Sequence, residues 1–429
     1  MESSSKPPFR RREQKVVWEC PAHETKTILN TLNNDCLFRI MSYLNLRELL
    51  IAEEVCMRFK IVAEMVYRTT HTFNSYKLAW CIPRITMNMP RVEALKIMSR
   101  VGPYINTLTI FPDCYSRVKN GCFIIPLIAQ CRRLETITLR NFSYFINHTI
   151  KELSRYLKRM KIKSLDIHKI NDEQLITLTE NMESLEELSL ACNEIDGECL
   201  IKMQPQNVRN IYLSSCSYLE PVPFKKFCRK TRQLEKLIIN DCNKLDDSCL
   251  HEIPKYLKNL KTLIISNTYR NCSADDYLVL ADLPELTNFA ICFSPSSKHT
   301  NNVGKLLLEL STQERIKHLN LERCTFTNDI KYALGQFKHL HSLRLYDCKN
   351  CSDILQSLSC TETIQFLDTK QTDITLEEAK LFKKKCKNLR SMVGGVINFR
   401  RPSLIDNGER FHYGCECFLG KIRKSSQKN

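Results

Sequence analysis

Glycine is scarce in this chain, 10 residues in 429, and none of them builds a glycine-rich phosphate loop. The zinc-protease helix and the serine-nucleophile elbow are also missing. No run of apolar residues is long enough to cross a bilayer. The N-terminus, MESSSKPPFRRREQ, has no apolar core after its basic residues, so it does not read as a secretory signal. The expected compartment is therefore intracellular and reducing, cytoplasmic or nuclear. In it the 22 cysteines are expected as thiols rather than as a disulfide framework. On that reading Asn147-His148-Thr149 and Asn271-Cys272-Ser273 match the glycosylation pattern by chance.

Hydrophobic residues make up 43% of the chain, which is globular rather than disordered, and the formal charge is 64 − 47 = +17. A balance of that size can serve nucleic acid, an anionic membrane or an acidic partner, or can be a solvated surface only. Where the charge lies matters more than its sum.

The organising pattern is a nine-residue frame. In Leu234–Cys242, LEKLIINDC, the core positions 1, 4, 6 and 9 are Leu234, Leu237, Ile239 and Cys242. The centre alternates sides as a short strand does. The frame returns at Ile316-Leu319-Leu321-Cys324 and Leu340-Leu343-Leu345-Cys348. Its starts are Ile105, Leu134, Ile162, Leu185, Val208, Leu234, Leu260, Leu286, Ile316, Leu340, Ile364 and Leu389, at intervals of 23 to 30 residues. That period marks a leucine-rich-repeat solenoid, α/β, with about twelve strand–turn–helix modules. The strands are expected as a parallel sheet on the concave face, with the helices on the convex face. The ninth position is cysteine in four repeats, and elsewhere Phe142, Ile170, Asn193, Thr268, Ser294 or Thr372. An inward site that wants a small apolar residue accounts for the cysteines as packing.

Ahead of the array the period changes. Leu37, Ile40, Met41 and Leu44 form one helical stripe, with Asn34 or Asp35 able to cap its start. Leu46, Leu49, Leu50 and Ala52 begin a second helix, and Val55, Cys56, Phe59, Val62, Met65 and Val66 carry a third. The expected organisation is a flexible basic N-terminus over 1–26, a helical unit over 27–68 and a linker with an irregular first repeat over 69–104. Repeats follow over 105–397, then a basic tail over 398–429.

Leu32 to Ala63, LNNDCLFRIMSYLNLRELLIAEEVCMRFKIVA, resembles an F-box. The matching features are Leu32, Asp35, Leu37, Ile40, the Tyr43-Leu44 pair, Leu49, the Val55-Cys56 pair and Phe59. Where the family has proline after the leading leucine this chain has Asn33, and where it has a late tryptophan it has Phe59. The module of 26 residues and the ninth-position cysteine resemble the cysteine-containing repeat subtype, the one usually joined to an F-box. The resemblance implies a non-catalytic substrate receptor of a cullin–RING (SCF-type) ubiquitin ligase. Leu32, Leu37, Ile40, Leu44, Leu49, Val55, Cys56 and Phe59 would then engage the adaptor subunit, some as contacts and some as core. The other reading is a repeat scaffold outside any ligase, whose helical N-terminus only shields the first repeat.

Position 5 of the frame points out of the sheet, and there Tyr212, Ile238 and Ile264 fall in adjacent repeats. They describe an exposed apolar strip, a candidate substrate floor with Arg344 and Tyr346 beside it. The alternatives are a strip covered by the C-terminal tail, or a β-branched preference of parallel strands. Cations on this face, Arg140, His168, Lys169, Arg209, Lys317, Arg323, Arg344 and Lys370, suit acidic or phosphorylated partner residues. Glu186, Glu187, Glu235, Asp241 and Glu322 are interleaved with them. The face is thus mixed, and the densest basic run, Lys380–Arg390, lies on a convex helix. That argues against a nucleic-acid groove lined by stacking aromatics. Cys348-x-x-Cys351 and Cys415-x-Cys417 have metal-like spacing but no second pair, so neither a metal nor a cofactor is expected.

Overall fold

The computed structural model describes residues 32–74, 91–110, 124–140, 146–180, 182–203, 206–268, 272–273, 275–293 and 303–394. The basic cluster Arg10–Arg12, Phe142, Ser294, Cys415-x-Cys417 and the C-terminal tail lie outside them. The chain divides into two compact units, Met1–Val66 and Tyr67–Asn429.

The first unit holds helices α1 (Asn34–Met41), α2 (Leu46–Ala52) and α3 (Met57–Arg68). Its core is Leu37, Met41, Leu49, Leu50, Val62, Ala63 and Val66, all buried. Short helices need satisfied ends, and each start here has a side chain for the purpose. The Asn33 side chain, rather than Asn34 or Asp35, accepts from the Cys36 N–H at 2.8 Å. Asn33 is thus a cap, which fixes the chain's entry by a hydrogen bond. Asn45 caps α2 in a reciprocal box with Glu48, whose carboxylate accepts the Asn45 N–H at 2.8 Å. At α3 the Cys56 sulfur accepts the Phe59 N–H at 3.5 Å.

The second unit is a solenoid. Among the described residues thirteen parallel strands, numbered in chain order, run in strict sequence order across one sheet. The first, β1 (Thr72–Asn74), falls within the stretch expected as linker and irregular repeat, and it pairs with β2 (Thr107–Ile110). The middle strands are β6 (Asn210–Ser214), β7 (Lys236–Asn240), β8 (Thr262–Ser266) and β9 (Asn288–Cys292). Leu213, Ile239, Ile265 and Ile291 align across them, as a frame of fixed phase requires. These side chains point to the helix side and are essentially inaccessible. No single strand–helix module could bury them, so neighbours complete one another's core.

Two devices set the phase. The first is a thiol ladder. Cys216 Sγ donates to the Leu190 carbonyl at 3.8 Å, Cys242 to Leu213 at 3.8 Å and Cys348 to Leu321 at 3.3 Å. Each bond reaches the sixth frame position of the preceding repeat. In the repeat beginning at Leu185 the inward residue is Cys192, bonded to the Ile167 carbonyl at 3.6 Å, and not Asn193, which is exposed. The second device explains the one-residue difference. Lys169, Ser215, Asp241, Asn267, Arg323, Asp347 and Gln371 all adopt positive φ, 50° to 60°. Each occupies the eighth frame position, where the chain turns off the strand. Cys192, eighth in its own repeat, does not, so that turn is shorter and its cysteine points inward early.

The left-handed turn yields a prediction. Gln371 is exposed and has φ 59°. Gln371→Val is expected to lower stability by about 1–2 kcal/mol through clash in that conformation. Gln371→Asn, at ease there, should not. Urea midpoints of the two variants check this.

Candidate functional site

Two surfaces carry the residues singled out by sequence. On the first unit, Leu37 and Leu49 are core, and Leu32, Leu44 and Phe59 are half-buried. Ile40, Val55 and Cys56 are exposed. Around them the structure adds large apolar side chains that the helical stripe assigned to no role. Tyr43, Ile51, Met57 and Ile61 stand, like Ile40 and Val55, between 51% and 90% exposed. Their signal was present in the sequence: they are the apolar residues that fall off the core phase. Arg58 ties the unit's start to α3, its Nε donating to Asn34 Oδ1 at 2.9 Å and its terminal nitrogen to the Leu32 carbonyl.

The second surface is the sheet face turned away from the helices. Ladder register aligns Tyr212 with Ile238, Ile238 with Ile264 and Ile264 with Ala290, as the frame requires. The expectation of exposure fails, however. Tyr212, Ile238 and Ile264 are 6%, 2% and 1% accessible. With Ala290 and Cys292 they form a second apolar cluster. Strands about 4.8 Å apart set aligned side chains in contact along the column, each shielding its neighbour. Lys236 closes over the Tyr212 ring, Nζ 5.0 Å from its centroid, and the Tyr212 hydroxyl donates to Glu187 Oε2 at 3.2 Å. The column is a packed floor. The half-buried rows beside it, Glu187, Asn210 and Lys236 on one side and Ser214 and Asn240 on the other, are polar.

No protein-family model matches the chain, and no curated protein matches it. Its fold does have solved counterparts. The Rad7–Elc1 complex of yeast aligns over 82% of this chain and 94% of that one, at 13% identity and a TM-score of 0.42. A leucine-rich-repeat protein of Legionella pneumophila, LegL7, aligns over 58% and 87%, at 13% identity and a TM-score of 0.39. An internalin of Listeria monocytogenes aligns over 64% and 78%, at 17% identity and a TM-score of 0.36. The ordered sheet and its repeated frame make the second unit a leucine-rich-repeat solenoid, a fold consistent with a protein-interaction scaffold.

The charged residues of the sheet face are mostly spent on one another. Arg140 lies 4.0 Å from Asp166, Arg209 2.6 Å from Glu235, Arg323 3.6 Å from Asp347 and Arg344 3.4 Å from Asp368. Each pair joins one repeat to the next. His168 lies 3.4 Å from Asp166 as well. Four arginines expected to receive acidic or phosphorylated groups thus already face a carboxylate. Tyr346 sits half-buried one position past the core residue Leu345. Asn320, from the adjoining repeat, donates to Glu322 at 2.9 Å.

Most of the inward cysteines are held as neutral thiols. Burial pushes the Cys131, Cys192, Cys249 and Cys360 thiols up to about 12, which suppresses the reactive thiolate. Cys348 and Cys351 are both buried, and Cys348 is a rung of the ladder. Among the described residues no three His, Cys, Asp or Glu side chains converge as metal ligands do. No helix among them is long and apolar enough to cross a membrane.

Two predictions follow from the paired charges. Arg344 and Asp368 are both nearly inaccessible, so Asp368→Ala strands a buried cation and should cost about 3–5 kcal/mol. Replacing both, Arg344→Met with Asp368→Leu, should recover most of that loss in a denaturation series. Asp166 gives the second. Burial raises its pKa, but the hydrogen bond and charge of His168, the charge of Arg140 and a bond from Ser189 outweigh burial and hold it below the ordinary 3.8. Its stabilisation is therefore complete above that value and drains as pH falls through the lower, folded one. Asp166→Asn should be less stable near neutrality and lose this part of the acid sensitivity, read from melting temperature against pH.

Proposed function

We propose that the chain is the substrate-recognition subunit of an SCF-type ubiquitin ligase. The first unit acts as an F-box and docks the adaptor subunit, which links it to the cullin. The sheet face of the repeats holds the protein to be ubiquitinated. The chain itself supplies no catalysis. It raises the effective concentration of target lysines near a charged conjugating enzyme.

The supporting observation is the apolar surface of the first unit. Ile40, Tyr43, Ile51, Val55, Met57 and Ile61 are exposed on three short helices and their joints. Fully burying a side chain of this kind is worth roughly 1.5–3 kcal/mol, and monomers seldom leave such surface open without a partner. A cap that only shields the first repeat has no use for it. For the repeat face, the reading rests on the polar rows around the packed column, with the half-buried Tyr346 further along the same face; Arg344, buried against Asp368, is not part of the contact surface. The column itself, Tyr212, Ile238 and Ile264, then acts as a stiff floor that sets the spacing of those rows rather than as the contact surface.

The test is a pull-down of the full chain with the purified adaptor subunit. The wild-type chain is expected to retain it. Ile40→Glu with Val55→Glu, both at exposed sites, should weaken binding at least about tenfold, or 1.4 kcal/mol, with an unchanged melting temperature. A wild-type chain that does not bind the adaptor would overturn the ligase reading and leave the repeat scaffold.

A further inference from the structure

One dense basic cluster among the described residues takes no part in either surface. The last described helix, Leu376–Lys385, and the turn after it carry Lys380, Lys383, Lys384, Lys385, Lys387 and Arg390. All six are exposed. Among the described residues none of the six is ion-paired, unlike the arginines of the sheet face. Of the two carboxylates in the first turn, Glu377 and Glu378, the second is occupied elsewhere. It closes the capping box with Thr375, accepting that N–H at 2.7 Å, and also accepts the Asp353 N–H at 2.9 Å. A helix C-terminus welcomes one or two cations, and the last turns of Glu198–Lys202 and Asp247–Tyr256 each carry just one. Six cations in eleven residues, none in an ion pair among the described residues, exceed that need.

We infer that this helix end is a docking surface for the phosphate backbone of duplex nucleic acid, bound without regard to sequence. Five of the six cations are lysines, which are depleted at protein–protein interfaces but serve well as point charges on phosphate. The helix's one aromatic, Phe382, is buried in the repeat core. With no ring to stack on bases, a single strand gains nothing here that a duplex lacks. The apolar side of the helix, Ala379 and Phe382, is likewise packed inward, and its two exposed leucines, Leu376 and Leu381, fall about 140° apart around the axis, so they do not join into one apolar face to lay into a bilayer. Backbone contact needs neither a groove nor aromatics, so the mixed charge of the sheet face does not bear on it. The inference is independent of the ligase reading.

The experiment is fluorescence anisotropy of the full chain on a labelled duplex of mixed sequence, at about 50 and about 200 mM salt. Four phosphate contacts give a salt slope near −3.6, so affinity should fall roughly hundredfold over that range. The variant Lys380→Gln, Lys383→Gln, Lys384→Gln, Lys387→Gln should flatten the slope by about one for each lysine that meets a phosphate. A control removes the same charge from another exposed stretch: Lys158→Gln, Arg159→Gln, Lys161→Gln, Lys163→Gln. The inference holds if the first variant loses at least about tenfold more affinity than the control. It is overturned if the two lose equally, or if the wild-type chain does not bind the duplex. It is also overturned if vesicles of phosphatidylserine or a polyglutamate peptide bind through these lysines and the duplex does not.

Discussion

The second unit depends on the sideways completion of an apolar core that no repeat owns. Leu237 and Ile239 are buried because the strands before and after them carry matching residues at the same height. The thiol ladder fixes that height. A Cys242 sulfur that must reach the Leu213 carbonyl cannot slip by a residue without losing both its bond and its burial. The left-handed turn at the eighth position delivers the cysteine to its place. Helix, sheet and face all inherit their registration from this small corner of each module.

That dependence explains why the sheet face behaves as it does. Registered strands set like positions side by side, so apolar residues on the outward face pack into a column just as those on the inward face do. Charged residues in the same positions find a partner one repeat away. The face is consequently stiff and largely self-satisfied, and its accessible rows are polar. The first unit is built on the opposite plan. Its described core is seven side chains, its helix starts are capped one by one, and it leaves more large apolar side chains outside than a closed unit needs.

Much of this was legible in the sequence. Leucine, isoleucine and cysteine recur with a fixed phase, so the parallel ladder, its alignment and the inward cysteines could be read directly. The three N-terminal helices could be read from their apolar stripe. Less legible was whatever depends on backbone conformation or on a neighbour's side chain. The eighth position holds Lys, Ser, Asp, Asn, Arg and Gln, a set with little in common by type, so its shared left-handed turn had no compositional signal. Asn193 took the ninth place by counting, and only the absent turn at Cys192 shows why counting fails there. Tyr212, Ile238 and Ile264 were correctly placed outward, but direction is not exposure. Ile51, Met57 and Ile61 were overlooked because a stripe search keeps the residues on phase and discards the rest.

The pairs that cross from one repeat to the next have a consequence for how such a chain can change its length. Arg323–Asp347 and Arg344–Asp368 each span a repeat boundary. A module duplicated or deleted between Arg344 and Asp368 separates two buried opposite charges and leaves each facing a stranger. The same event between Ile238 and Ile264 brings one apolar side chain against another. By this arithmetic, the apolar column in the middle of the array, whose crossing pairs Arg209–Glu235 and Lys261–Glu235 are more exposed, tolerates a change in repeat number better than the buried pair at its C-terminal end.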